Sequence, residues 1–339
     1  MQTVWASIFV FGLLIFIHEF GHFIVAKAVG IKVHEFSLGF GPRLIGVSRG
    51  ETRYNLRLLP LGGFVRMAGM DPEEKEEDEE RGFNKKPIWQ RVLVIVAGPL
   101  MNFLLAAVLL ALILYAQGYP VPTTTVSRLV PGQPAEKAGL QPGDRILAID
   151  GRPVGDWDQL SRMIGERPGK KIILSVERGG RQREIALIPA RDPSGQGKIG
   201  IYPVQVMQRA GFFAALGQGL AYTGRISWLI LDFIGKMIVG RAPPELGGPV
   251  RIVQEIHTAV GMGFYYLLQL AAFLSINLGL FNLLPIPALD GSRVLFLAVE
   301  RLRGRPVDPA RENFIHLVGF GLLLLLIVVI TYNDIVQLL

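Results

Sequence analysis

Two histidines and a glutamate interrupt the first apolar run of the chain. His18, Glu19 and His22 form the pattern H-E-x-x-H within FIHEFGHFIVAK. On a helix, residues i and i+4 share one face at a separation of about 6 Å, so both imidazoles can bind one metal ion. A carboxylate beside that metal is in position to act as a general base. The pattern therefore predicts a metal site with a base next to it.

The apolar setting makes this trio costly. An acidic group at the centre of a membrane span costs roughly 2.5–3.5 kcal/mol on insertion scales. The alternative is that the two histidines have a structural role and only form hydrogen bonds between helices. Such a histidine pair needs no carboxylate between its members. Three ionisable groups on adjacent turns of a span favour a functional site.

A catalytic zinc site takes three protein ligands and one open position. The chain contains no cysteine, so the ligands must be His, Asp or Glu. The third apolar run ends in NLLPIPALDG, where Pro285 and Pro287 cannot continue a regular helix. Asp290 follows directly, at the membrane depth expected for His18 and His22. It is the candidate third ligand.

Other acidic residues offer an alternative. A second class of H-E-x-x-H protease has its active site facing the cytoplasm and takes a glutamate as its third ligand. Glu300 and Glu312 are available for that role. Asp290 lies in the better matched motif.

Composition places the chain in a membrane. Half of its 339 residues are hydrophobic, and the excess is concentrated in four runs that could each span a bilayer. The net charge of +7 comes from Lys and Arg beside these runs, which favours lipid headgroups rather than nucleic acid as neighbours. The N-terminal tip has no basic residue, which favours an uncleaved first span over a signal peptide. The four runs are Val4–Val29, Ile88–Ala116, Phe264–Leu284 and Phe314–Leu338.

Charge also predicts the orientation. The loop after the first span and the loop after the third are rich in Lys and Arg, so both are expected in the cytoplasm. Both chain termini and the segment between spans two and three are then extracytoplasmic, and H-E-x-x-H lies toward the cytoplasmic side. Segment 212–239 is apolar but carries Arg225, Asp232 and Lys236. We interpret it as an amphipathic surface helix, with a fifth crossing as the alternative.

Together these motifs give the chain a family resemblance. HEFGH at His18–His22, LPLGGFVRM at Leu59–Met67 and NLLPIPALDG at Asn282–Gly291 resemble the bacterial site-2 proteases, which are intramembrane zinc metalloproteases. The resemblance covers essentially the whole chain. It implies one catalytic Zn²⁺ bound by His18, His22 and Asp290, and a substrate-binding role for Asn282. The familiar LDGG motif is LDGS here, with Ser292 in the last position.

Two further regions fit this family. Turn residues between short alternating runs predict β-hairpins over Val33–Gly69, and this region resembles the membrane-reentrant β-loop of site-2 proteases. Its strand edge could bind an extended peptide, or the hairpins could only brace the helices. PAEKAGL and GDRILAIDG, within Thr123–Ala190, resemble PDZ domains. That domain could bind a peptide or exclude bulky substrates.

The predicted fold is a polytopic α-helical membrane protein with about four transmembrane helices, a membrane-associated β-hairpin region and an inserted extracytoplasmic PDZ-like α+β domain. The acidic run Asp71–Arg81 is expected to be a solvated loop. The predicted segments are 1–32 (first span), 33–87 (hairpins and acidic loop), 88–118 (second span), 119–200 (PDZ-like domain), 201–262 (amphipathic linker), 263–292 (third span) and 293–339 (cytoplasmic loop and fourth span).

The predicted function is intramembrane zinc endopeptidase in a bacterial inner membrane. Its substrates would be single-pass transmembrane proteins or peptides, cut for regulated intramembrane proteolysis or for clearance of signal-peptide remnants. Glu19 would activate a zinc-bound water. The alternative hypothesis is a non-catalytic membrane scaffold that presents the PDZ domain.

Overall fold

We analysed a computed structural model of the chain, which describes residues 1–70, 81–241, 243 and 247–337. The chain forms two compact units. The helical unit comprises Met1–Ile113 and Gly211–Leu339, and the inserted unit comprises Leu114–Ala210. Most of the predicted acidic loop lies outside the described residues.

The described residues form both helices and strands. The helices are α1 (Gln2–Ala28), α2 (Ile88–Gln117), α3 (Pro134–Lys137), α4 (Trp157–Gly165), α5 (Phe212–Ile238), α6 (Pro249–Met262), α7 (Phe264–Leu283), α8 (Asp290–Arg303) and α9 (Pro309–Val336). The strands are β1 (Val33–Arg49), β2 (Thr52–Met67), β3 (Tyr119–Leu129), β4 (Arg145–Ile149), β5 (Arg152–Pro153), β6 (Ile172–Arg178), β7 (Arg181–Leu187), β8 (Ala190–Arg191), β9 (Gly197–Lys198) and β10 (Ile201–Gln208).

Four of the described helices, α1, α2, α7 and α9, are long and apolar enough to cross a membrane. They match the four apolar runs of the sequence. The prediction of a membrane protein with about four such helices is thereby supported by its helix lengths.

Two buried clusters hold the helical unit together, one on each side of the H-E-x-x-H motif along α1. The first joins α1, α2 and α7, and includes Val10 and Leu14. The second joins the end of α1 to the hairpin, α2 and α8, and includes Ala26 and Leu297. Glycine allows the closest approach, since a β-carbon on Gly21 of α1 would lie 2.4 Å from the carbonyl oxygen of Ala97 in α2. His18 and His22 are therefore fixed between two packed regions.

β1 and β2 form the predicted hairpin region. They pair over most of their length, and residues 33–38 of β1 pair on both sides, with residues 53–56 and with residues 63–67 of β2. Residues 63–67 thus lie at an edge of the sheet, with no strand on their other side among the described residues. Met67 belongs to the buried cluster at the end of α1, and Val65 packs against that cluster. The sheet edge is consequently held next to the helix that carries H-E-x-x-H.

The inserted unit is an α+β domain, as predicted for this segment. Its six-stranded sheet has the order β10-β3-β4-β6-β7, with β5 paired to β4. A buried apolar cluster, which includes Ile146, Leu160 and Leu174, lies between the sheet and its helices. The unit ends at Ala210 rather than at the predicted residue 200, because β10 pairs with β3.

Other boundaries also differ from the predicted ones. The predicted third span, 263–292, ends as a helix at Leu283, and α8 begins at Asp290 after the two prolines. Sequence patterning did not identify α6 or α8. The predicted segment 212–239 forms one helix, α5 (Phe212–Ile238). This helix packs closely on α2, since a β-carbon on Gly219 would lie 2.4 Å from the Ala107 oxygen. The position of α5 relative to the bilayer stays a prediction.

A buried charge fixes the register of the hairpin region. Glu35 Oε1 accepts hydrogen bonds from Ser37 Oγ at 2.5 Å, Asn55 Nδ2 at 2.7 Å and an Arg57 guanidinium nitrogen at 2.5 Å. Burial alone would raise the pKa of Glu35, but the hydrogen bonds from Ser37, Arg57 and Asn55 outweigh it and lower the pKa to about 2.

We expect Glu35→Gln to lower the thermal denaturation midpoint at pH 7, since hydrogen bonds to a charged group stabilise by about 1.5–3 kcal/mol. A carboxyl whose pKa falls on folding stabilises the protein above its unfolded pKa of about 4.5. The difference between the parent and the variant should therefore narrow as the pH falls from 4.5 toward 2. Thermal scans in detergent at pH 7 and pH 3 measure both effects, with the exposed Glu184→Gln as the control. An equal difference at both pH values would contradict the assignment.

Candidate metal centre

Three ligand atoms meet between α1 and the start of α8. The Nε2 atoms of His18 and His22 lie 3.2 Å apart. Asp290 Oδ2 lies 3.1 Å from Nε2 of His18 and 3.3 Å from Nε2 of His22. Both histidines are buried, and the carboxylate is mostly so. Among the described residues this is the group of metal-ligating side chains that could hold an ion.

The spacing of these atoms fits zinc. For Zn–N and Zn–O bonds of about 2.05 Å, the ligands of a tetrahedral site lie roughly 3.3 Å from one another. The three observed separations, 3.1, 3.2 and 3.3 Å, correspond to one face of such a tetrahedron. Asp290 Oδ2 is buried without a hydrogen-bond donor among the described residues. Coordination of a metal ion is one way to stabilise a buried carboxylate oxygen that has no donor.

Hydrogen bonds to the other ring nitrogens orient both imidazoles. His22 Nδ1 lies 2.8 Å from the carbonyl oxygen of Val94. A carbonyl only accepts, so Nδ1 carries the proton and Nε2 keeps the lone pair that a metal needs. Space for this ring comes from α2, because a β-carbon on Gly98 would lie 2.3 Å from His22 Nε2.

Asn102 is a site residue that sequence analysis missed. Its side chain is fully buried, and its amide lies 3.0 Å from His18 Nδ1. When Nδ2 faces the His18 ring, the amide oxygen has no hydrogen-bond partner among the described residues. Rotating the amide by 180° lets the oxygen accept from His18 Nδ1–H, which leaves Nε2 of His18 for the metal. The only available signal was a polar residue within the apolar run of α2.

The candidate third ligand, Asp290, is held by a tightly packed turn. Asp290 is the first residue of α8, directly after the two prolines. A β-carbon on Gly291 would lie 2.3 Å from the Leu284 oxygen, so only glycine fits there. Ser292, the departure from LDGG, is buried and its hydroxyl donates to the Leu289 oxygen at 2.6 Å. The serine therefore stabilises the turn.

His316 in α9 supports the same turn and is another residue that sequence analysis missed. The backbone N–H of Ala288 donates to His316 Nδ1 at 3.0 Å. Ala288 has φ of 74°, a left-handed conformation that a residue with a side chain rarely adopts. A β-carbon on Gly319 would lie 2.2 Å from Pro287 Cβ, so α9 packs directly on the turn.

The remaining predicted site residues lie as follows. Glu19 is partly buried next to His18 and makes no hydrogen bond or ion pair with the residues that the structure describes. Asn282 lies in the last turn of α7, is partly buried, and its amide likewise has no described partner. The alternative ligand Glu300 instead forms a two-point ion pair with Arg91, at 3.0 and 2.5 Å. Glu312 lies 3.8 Å from His316. The structure thus brings Asp290, and neither alternative glutamate, to the two histidines.

Residues 6–326 match peptidase family M50. The chain belongs to that family. The prediction of a site-2 protease, a zinc-dependent peptidase, is confirmed by this membership, and the hypothesis of a non-catalytic scaffold is wrong.

Relatives match along nearly their whole lengths. A zinc metalloprotease RasP from Geobacillus kaustophilus is 35% identical, over 99% of this chain and 98% of the relative. A regulator of sigma-W protease RasP from Bacillus subtilis is 34% identical, over 100% and 99%. The solved PDZ domain of an SdrC-like protein from Listeria innocua covers 26% of this chain and 99% of that domain, with 24% identity and a TM-score of 0.23.

We expect Asn102→Leu to weaken zinc binding by about ten- to a hundredfold, because groups that orient metal ligands typically contribute that much. Asn102→Asp keeps an acceptor for His18 Nδ1–H and should retain most of the affinity. Competition with a chelator on the purified enzyme measures both. Asn277→Leu is the control, since the Asn277 amide lies in α7 and donates to the Phe273 oxygen of its own helix. Equal affinities for the parent and Asn102→Leu would exclude this role.

His316→Leu removes the acceptor for Ala288 N–H and should release zinc several-fold more readily. His316→Asn places an oxygen close to the former Nδ1 position and should restore retention. Zinc content after timed dialysis against a chelator measures the difference, with thermal denaturation to check that both variants fold. If His316→Asn loses zinc as fast as His316→Leu, the hydrogen bond does not position the turn.

Proposed function

We propose that this member of family M50 is an intramembrane endopeptidase that cuts peptide bonds within or near transmembrane segments. His18, His22 and Asp290 would hold one zinc ion, with Glu19 as the general base. The observation that carries this proposal is the triangle of ligand atoms with sides of 3.1, 3.2 and 3.3 Å. A helix long enough to cross a membrane supplies two of its corners.

The chemistry divides between the metal and the protein. The zinc ion that His18, His22 and Asp290 would hold would supply a Lewis acid, which lowers the pKa of a bound water molecule from about 15.7 toward roughly 7. Glu19 takes a proton from the attacking water and delivers it to the leaving amine. Its lack of a described partner leaves the carboxylate available for both transfers. Asn282, whose amide is also unpaired among the described residues, would donate to the substrate next to the scissile bond.

A helical substrate must be extended before it is cut, because its peptide bonds are otherwise hydrogen-bonded within the helix. The sheet edge at residues 63–67 is suited to bind an extended peptide by strand addition. It lies at the site, since a β-carbon on Gly63 would be 3.0 Å from Glu19 Cγ. We therefore place the substrate between this edge and the ligands.

The proposed setting is a bacterial inner membrane. Lys and Arg flank the loops between α1 and α2 and between α7 and α9, which favours a cytoplasmic position for both. The chain termini and the inserted unit would then be extracytoplasmic, and the ligands would lie toward the cytoplasmic side. Single-pass membrane proteins are the substrate class that fits a base within a spanning helix. The Bacillus subtilis relative, named as a regulator of sigma-W protease, is consistent with such regulated cleavage.

The deciding experiment is cleavage of a single-span test protein by the purified enzyme in detergent. Glu19→Gln should lower the rate by about 10²–10⁴-fold, the usual contribution of general acid–base catalysis, while zinc content stays at that of the parent. Mass spectrometry of the products should place the cut within or near the span. Glu184→Gln, in the inserted unit, is the matched control and should cut normally. Cleavage by Glu19→Gln at the parental rate would refute the role of the base.

A further inference from the structure

An apolar cavity opens between α1 and the hairpin region, beside the proposed base. Its volume is about 350 Å³, and its walls are almost entirely apolar. Nothing in the proposed mechanism uses this space. The lining residues are Ile8, Phe9, Gly12, Leu13, Phe16, Leu38, Gly39, Leu56 and Gly62.

The cavity continues the space that Glu19 faces. Gly12, Phe16 and Glu19 are spaced four and three residues apart, so they share one face of α1. On the sheet, the lining residue Gly62 directly precedes Gly63, whose β-carbon would approach Glu19 Cγ. Gly12 and Glu19 are separated by about 10 Å along the helix axis, at 1.5 Å per residue. A peptide bound at the sheet edge would therefore run from Glu19 toward the cavity.

A missing side chain on α1 leaves part of this volume open. Gly12 lines the cavity, and a β-carbon on it would meet nothing within 4 Å. Apolar cavities of about 150 Å³ are large enough to bind benzene. The space here can thus accept one large aliphatic or aromatic side chain.

We propose that this cavity binds a bulky apolar side chain of the substrate and so sets sequence preference next to the scissile bond. The proposal rests on the proposed function. An extended peptide advances about 3.3 Å per residue. Phe16 and Gly12 lie about 4–10 Å from Glu19 along α1. The side chain that enters the cavity accordingly belongs to a residue one to three positions from the cut, on the side toward the N-terminus of α1.

The test uses the full-length zinc enzyme and single-span substrates that differ at one position. Each of the three residues on either side of the mapped cut is set to Ala or Phe, and kcat/KM is measured. We expect the parent to favour Phe at one position by tenfold or more, since filling an apolar pocket discriminates by 10–200-fold per methylene group. Gly12→Val fills open space and should abolish or reverse this preference, because the cavity can then no longer accept the Phe side chain.

Two further variants make the result decisive. Gly321→Val, in α9, also projects into open space but far along the chain from the cavity, and should keep the parental preference. Gly12→Ala is the milder change, should fold if Gly12→Val does not, and should reduce the preference partway. An unchanged ratio of Phe to Ala cleavage in both Gly12 variants, with normal turnover, overturns the cavity assignment alone and fits occupation by a lipid chain. Absence of cleavage by the zinc-loaded parent on every substrate overturns the proposed function, and this assignment with it.

Discussion

The Nε2 atoms of His18 and His22 and Oδ2 of Asp290 lie 3.1–3.3 Å from one another within the helical unit. Each atom has an unshared electron pair, and Asp290 Oδ2 accepts no hydrogen bond from the described residues. Burial of such a group is unfavourable unless a cation neutralises it. The rest of the helical unit can be understood from this constraint. α1 must be helical around His18 and His22 to present two candidate ligands one turn apart. The chain between α7 and α8 must leave the helical conformation to present the third.

The supports of the three ligands come from different parts of the chain. α2 provides the Val94 carbonyl and the Asn102 amide for the imidazoles, and α9 provides His316 for the turn before Asp290. The ion pair between Arg91 and Glu300 ties α2 to α8, which Asp290 begins. Metal binding at the candidate site would therefore be coupled to helix packing, since the three candidate ligands meet only when α1, α2, α8 and α9 are assembled.

The sequence alone predicted the parts of the site that follow local rules. The four-residue spacing of His18 and His22 specifies one helix face, and two prolines before Asp290 specify the break. Asn102 and His316 were missed because their partners lie far away in sequence, and no local pattern records such a contact. α6 and α8 were missed because short amphipathic helices resemble polar linkers in composition, and the end of the inserted unit was misplaced because β10 is defined by its pairing with β3.

Gly98 shows how a residue without a functional group can be as restricted as a ligand. The place that its β-carbon would take is already filled by the imidazole of His22. Any larger residue at position 98 would displace the imidazole of His22, a candidate ligand, rather than crowd an apolar core. In a survey of mutational tolerance, Gly98 should therefore tolerate as few substitutions as the two histidines and the aspartate. The cause would be the space that the His22 ring needs, not the backbone flexibility of glycine.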